Sequence, residues 1–480
     1  MKKVFLLCGL IFFHLVASFS QERFRKSPPF PEPLQPLQLP AIESVRLGNG
    51  LTVAVAYQKN LPFISLELLV LAGESSSPES SPGLATFTAG MLSRGTQLIS
   101  ALEMEERIES IGGSFSATTS LDYSRFSFFF LDENLDQALE LLSLMLLQPA
   151  FADKEIVNLK RTEYYDILQK QRDPDYVSKR QLLRILFKSH PYQKSLYNED
   201  VIKNISKDDI LTFFGKYYRP NNSVLVLAGN LNLPTASRKV SHYLNMWQKK
   251  ELDRPLPPPP GPNNIERVCF VDLPQAKDAT LVIGNVIFPL ADPDFFPFSV
   301  LNQVLGGTLN SRLLMNLRES KEYAYFAFSE IELFRSCGVY FVTAKVTPSV
   351  CFASVQEILK ELERMAKEKV STSELEQAKS YLIGNFPLQL HRLDDLARRI
   401  SEIVAFSLGE EHWNKFYENI MLVDFGKVFE VAEKYLLPKP VVIIVGDKNS
   451  LFDHLRDFEK LEIYDAKGVY RYALTKGVEK

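Results

Sequence analysis

Apolar residues alternate or run together over 51–56 (LTVAVA) and 64–72, the period of strands, with Asn49-Gly50 placing a turn ahead of the first. The spacing changes to that of helices over 83–92 and 102–111. A strand pair follows at 114–119 and 123–131, and helices then run from 134 to 187 with a break near Pro174. Ser206 and Asp209 form a helix-starting pair, and residues 224–229 read as a further buried strand. Strands grouped with runs of helices, without strict βαβ alternation, predict an α+β fold with helices laid on one face of a mainly antiparallel sheet.

The order of these patterns repeats. An amphipathic helix at 135–147 precedes FADKEIVNLK (151–160), and one at 355–365 precedes VSTSELEQAK (370–379). Each half then closes on a Tyr, a Pro and an apolar strand ending in Gly: Tyr218, Pro220 and 224–229 against Tyr435, Pro438 and 441–446. The match points to an ancient duplication and two homologous domains. Between them lies RPLPPPPGP (254–262), the natural interdomain linker. The expected organisation is a signal peptide at 1–20, a Pro-rich arm at 21–43 that is extended up to Pro40, domains at 44–250 and 265–480, and a linker at 251–264.

The signal peptide is read from Lys2 and Lys3, the apolar run 4–16 and the small residues Ala17, Ser18 and Ser20. That run is short of the roughly 20 residues of a spanning helix, and no later stretch is long enough. The expectation is an exported, periplasmic protein with no transmembrane segment in the mature chain. A formal net charge of −3 with 24% charged residues gives no basis for nucleic acid as a partner. Cys269, Cys337 and Cys351 follow the signal, an odd number without C-x-x-C spacing, so buried thiols are expected in place of a disulfide framework or a cysteine zinc site.

The chemistry concentrates at Gly83-Leu84-Ala85-Thr86-Phe87-Thr88-Ala89-Gly90-Met91-Leu92-Ser93-Arg94-Gly95-Thr96. This is the frame of a helix bearing H-x-x-E-H, in which two His bind zinc and the Glu activates its water. Here those three positions hold Thr86, Ala89 and Gly90, which offer neither imidazole nor carboxylate. With Leu47-Gly48-Asn49-Gly50-Leu51, Ile111-Gly112-Gly113, His190-Pro191-Tyr192, Leu305-Gly306-Gly307, Ser311-Arg312-Leu313 and Arg318-Glu319, the chain resembles the pitrilysin/insulinase family of zinc metallopeptidases. The likeness is to members similar to the processing-peptidase subunits and runs from about residue 44 to about residue 448.

The resemblance implies a further Glu ligand where Asp166 stands and a supporting Glu where Leu159 stands. No catalytic or metal-binding residue is therefore expected in this chain. It also implies that Arg318 and Tyr325 match an Arg and a Tyr that help hold substrate at the zinc. A guanidinium offers fixed donors to a carbonyl and a phenol can donate to an oxyanion. The plainer alternative pairs Arg318 with an acid such as Glu322 and packs Tyr325 in a core. The implied function is a non-catalytic subunit that closes over the zinc of a paralogous peptidase subunit and helps bind peptide, the cofactor residing in that partner. Two alternatives stay open: a structural or assembly subunit, and a peptide-binding protein with no proteolytic role.

Overall fold

The computed structural model describes residues 39–476 apart from 60, 189, 198, 254, 255 and 410; the expected signal peptide and most of the Pro-rich arm lie outside the described residues. The end of that arm departs from expectation. Leu39 is buried in the core and its N–H donates to Asn414 Oδ1 at 3.0 Å, because an apolar side chain beside an open core is more stable inside it than extended in water.

Among the described residues thirteen strands form two sheets. The first contains β1 (Ile42–Arg46), β2 (Thr52–Tyr57), β3 (Phe63–Val70), β4 (Ser114–Thr119), β5 (Ser124–Leu131) and β6 (Ser223–Gly229) in the order β1-β2-β6-β3-β5-β4. The second contains β7 (Arg267–Asp272), β8 (Ala279–Ile287), β9 (Ala324–Leu333), β10 (Gly338–Val346), β11 (Val441–Gly446), β12 (Lys460–Asp465) and β13 (Tyr470–Thr475). Its order is β13-β12-β7-β11-β8-β10-β9. The run β7-β11-β8-β10-β9 repeats β2-β6-β3-β5-β4 in order and direction: the first pair is parallel and the next three are antiparallel in both. Both sheets are mainly antiparallel with an α+β arrangement of helices.

The first half lays its own helices on one face of its sheet, where Leu66, Leu68, Phe126 and Phe128 meet Phe87, Leu139 and Leu142. The opposite face is covered by a helix from the other half. Helix Leu393–Ala405 crosses β3 and β6, setting Leu396, Ala397 and Ile400 in one core with Ala54, Ala56, Val226 and Ala228. Helix Pro174–Leu186 returns the arrangement, crossing β8 and β11 with Val177, Leu182 and Leu186 against Val282, Ile443 and Val445. This explains why β6, β8 and β11 are apolar at nearly every position: strands covered on both faces have no polar side.

The capping pair Ser206/Asp209 forms a full capping box at helix Lys207–Tyr217, and Ser371/Glu374 forms another at helix Thr372–Asn385. Cys269, Cys337 and Cys351 are free and buried, and burial pushes the Cys337 and Cys351 thiols up to about 12, which makes them inert at neutral pH. Among the described residues no helix is long and apolar enough to cross a membrane.

Candidate functional site

The motif helix, Leu84–Met91, begins at Gly83, whose φ of 86° lies in the left-handed region and whose missing Cβ leaves room for the Tyr197 ring. Helix N-termini carry unpaired N–H groups, and here a carboxylate answers them. Glu74 is buried, and its Oε2 accepts from Gly83 N–H and Ser77 Oγ, each at 3.0 Å. Its Oε1 accepts from Thr86 N–H at 2.8 Å and, at still closer range, from the Thr86 hydroxyl. Burial raises the Glu74 pKa and these hydrogen bonds oppose the rise. The Tyr197 hydroxyl also interacts with the Thr86 side chain.

Thr86 therefore faces a cavity of about 440 Å³ as part of a closed hydrogen-bond group. Glu163 and Asp166 reach the same cavity from the long helix Asp153–Lys170. Asp166 is held by Lys170 at 2.6 Å, one helical turn on. Burial and the neighbouring Asp166 raise the Glu163 pKa. From the second half, Glu332 and Phe334 complete the wall at the far end of β9.

A zinc ion needs three or four converging N, O or S ligands. The residues present do not fit one. Thr86 is committed to Glu74, Ala89 has no donor atom and is buried, and Gly90 has no side chain. A Cβ at Gly90 would stand 3.3 Å from Leu159 Cδ2, so hydrocarbon borders the place where a ligand would sit. Among the described residues no group of three or more His, Cys, Asp or Glu side chains is arranged to hold a metal ion.

Arg318 and Tyr325 are not part of this cavity. Arg318 lies in the π-helical turn Met315–Ser320, half-exposed, with its Nε 3.6 Å from Glu319 Oε1, so its acidic neighbour is Glu319 and not Glu322. Tyr325 opens β9 and is 60% exposed, which removes the alternative of a packed core tyrosine. Seven residue steps along the strand separate it from Glu332, about 23 Å at roughly 3.3 Å each. His190 has a structural role: its Nδ1 accepts the Tyr192 N–H at 3.2 Å as the cap of a short 3-10 turn, and burial lowers its pKa.

Glu74 and Tyr197 carry the sequence signal least. Glu74 stands nine residues before Gly83 in a Ser-rich stretch, and Tyr197 in an irregular loop, and neither belongs to a periodic pattern. The family resemblance does point to Leu159 and Asp166, and the structure sets Leu159 against Gly90 and Asp166 at the cavity.

Residues 52–200 match the family described as Insulinase (Peptidase family M16), and residues 204–382 match the one described as Peptidase M16 inactive domain. A relative from Rickettsia bellii named "Uncharacterized zinc protease" is 23% identical over 406 residues, 84% of this chain and 97% of that protein. A Helicobacter pylori relative named "Non-peptidase homolog YmxG" is 29% identical over 352 residues, 71% of this chain and 79% of its own. The crystal structure of a peptidase M16 inactive domain from Pseudomonas fluorescens superposes with a TM-score of 0.79 at 20% identity, covering 85% of this chain and 98% of that one.

Proposed function

The chain belongs to the pitrilysin/insulinase family (peptidase M16), and from that premise we propose that it is a non-catalytic subunit of an exported peptidase. In this reading it pairs with a zinc-bearing paralogue and helps hold the peptide. One observation carries it: the motif helix has replaced its zinc chemistry with packing, Thr86 closed onto Glu74 and Gly90 lying against Leu159. The exposed Arg318 and Tyr325 support a role toward another molecule, because both are open to solvent and neither lines the cavity at the motif helix. Lys2, Lys3 and the apolar run after them support export to the periplasm.

The cofactor in this reading is the partner's zinc. This chain's contribution is an Arg fork for a peptide carbonyl or carboxylate and a phenol that can donate to a developing oxyanion. The test is to purify the mature chain alone and with its catalytic paralogue, then measure zinc and peptide cleavage. Cleavage in the mixture alone, lowered at least tenfold by Arg318→Ala or Tyr325→Phe with the pair still co-eluting, is the expected result. Turnover that neither substitution changes would reject their role.

A second reading, capture of peptide without cleavage, is favoured by β4. This strand ends its sheet, pairs only β5 among the described residues, and alternates exposed and half-buried positions along its length. An open edge of that kind accepts an extended peptide as an added strand. Tight peptide binding by the isolated chain, and no gain in cleavage on adding the paralogue, would favour it.

A further inference from the structure

The second half contains a cavity at the place corresponding to the motif cavity. In the repeated strand order, helix Phe295–Asn302 follows β8 as the motif helix follows β3, helix Thr372–Asn385 takes the place of Asp153–Lys170, and Leu393–Ala405 that of Pro174–Leu186. These three helices and the end of β9 enclose about 510 Å³. The reciprocity extends to the wall: Phe334 of the second half reaches the first cavity, and Tyr123 of the first half reaches the second.

The chemistry of the two differs. Where the first cavity gathers Glu74, Glu163 and Asp166, the second is lined by aromatic rings and as many polar side chains, with Arg399 beside Glu402. Phe386 stacks on Phe416 with centroids 4.2 Å apart and on Trp413 at 5.8 Å, while Phe295 meets Trp413 edge-on at 5.9 Å. Arg399 lies over Trp413 at 4.5 Å and is held by Glu402 at 3.0 Å and Gln389 at 3.1 Å. These contacts fix the walls in place before any ligand arrives, which lowers the ordering cost of binding.

Polar groups on the wall are left over: among the described residues, Gln303 Oε1 and Trp413 Nε1 are buried without a hydrogen-bond partner. Among the described residues the Asn385 carboxamide, on the helix that supplies Phe386, has no hydrogen-bond partner, although it can donate twice and accept. A purely hydrocarbon ligand would leave it unanswered. A peptide amide supplies one donor and one acceptor and would pair with it.

We propose that this second-half cavity binds an aromatic side chain of a peptide together with its flanking amide, the ring lying against Phe386 and Trp413 and the amide meeting Asn385. Its volume falls in the range of small-ligand sites, and flat rings meeting face and edge suit an aromatic group. The site belongs to this chain alone and does not depend on pairing with a catalytic paralogue, so its test can fail or succeed separately from that reading.

Trp413 is one of only two tryptophans, so Trp247→Phe leaves it as the sole indole reporter in the full mature chain. N-acetyl-phenylalaninamide is expected to change Trp413 emission saturably, and N-acetyl-alaninamide to have at least tenfold lower affinity. Asn385→Leu should weaken the aromatic amide at least fivefold with the melting temperature kept. Calorimetric titration of the unsubstituted chain gives the same answer if Trp247→Phe folds poorly. No saturable heat, equal affinity for the two amides, or binding of decanoate in preference to the aromatic amide would overturn the proposal; the last would make the cavity a lipid-chain site.

Discussion

Gly90 and Thr86 show why single substitutions would not build a metal site on the motif helix. Returning His to position 90 places a Cβ 3.3 Å from Leu159 Cδ2 and an imidazole beyond it, so Leu159 or the helix must shift. Overpacking of that kind costs about 1–3 kcal/mol. Returning His to position 86 removes the hydroxyl that donates to Glu74, whose buried carboxylate also accepts from Ser77 and Gly83. Asp166 is meanwhile turned to Lys170. The triple substitution Thr86→His, Ala89→Glu, Gly90→His is therefore expected to bind far less than one zinc per chain after dialysis, as read by elemental analysis, and to melt below the unsubstituted protein. Adding Leu159→Glu and Asp166→Glu should raise zinc content above that of the triple variant. Stoichiometric zinc in the triple variant would show that Leu159 and Glu74 yield more easily than their contacts imply.

At the scale of elements, the reciprocal helices decide what the strands must be, and β3 records the consequence in one polar residue. Glu67 sits in the middle of β3, almost fully buried, with Ser127 Oγ donating to it at 2.9 Å and Arg125 at 3.8 Å. Arg398 and Asp394, on the helix from the other half, complete its charged surroundings. Burial raises its pKa from 4.5 to about 7, with Arg125 opposing the rise. The folded protein then holds a proton that the unfolded chain releases, so this contribution is full below about pH 4.5 and is lost as pH rises toward 7. The loss is on the order of 3 kcal/mol. Urea midpoints of the unsubstituted protein should fall across that interval through this group, and Glu67→Gln should make the fall shallower. An unchanged slope would mean that Glu67 does not hold its proton.

This residue also marks the limit of what the chain discloses. Strands β2, β3, β5 and β6, the motif helix and the capping box at Ser206 are legible because their periods and caps are local. The partner of each sheet's second face is not, because Leu396, Ala397 and Ile400 show helical spacing but nothing in that spacing names the sheet they cover. The same holds at the site: Thr86, Ala89 and Gly90 can be found from the motif frame and Leu159 and Asp166 from the family resemblance, whereas Glu74 and Tyr197 come to it only through the fold. Strand β1 and the β12–β13 hairpin at the other sheet's edge lie outside the repeated unit, so the repeat gives no sign of them.

For the whole molecule, the exchange of helices means that the halves share cores and the connecting segment need not hold them together. The first sheet's core continues into the second half through Ala54, Ala56, Val226 and Ala228 against Leu396, Ala397 and Ile400. The second sheet's core continues into the first through Val177, Leu182, Leu186 and Phe187. Each of these two faces, if bared, would expose a contiguous apolar surface of the kind monomeric proteins seldom show. Burial of apolar surface on two separate faces is large compared with the small entropy gained by opening one loop, since loop-closure cost grows only slowly with length. A protease site inserted between Leu256 and Pro260, where the described chain carries no helix or strand, should therefore be cut without separating the halves. The expected outcome is two fragments on a denaturing gel that elute as one species on gel filtration and melt in one transition. Ile400→Asp, which buries a charge against the first sheet, should convert the cut protein into two separable fragments. Fragments that part without that substitution would show that the linker, and not the exchanged helices, keeps the two sheets together.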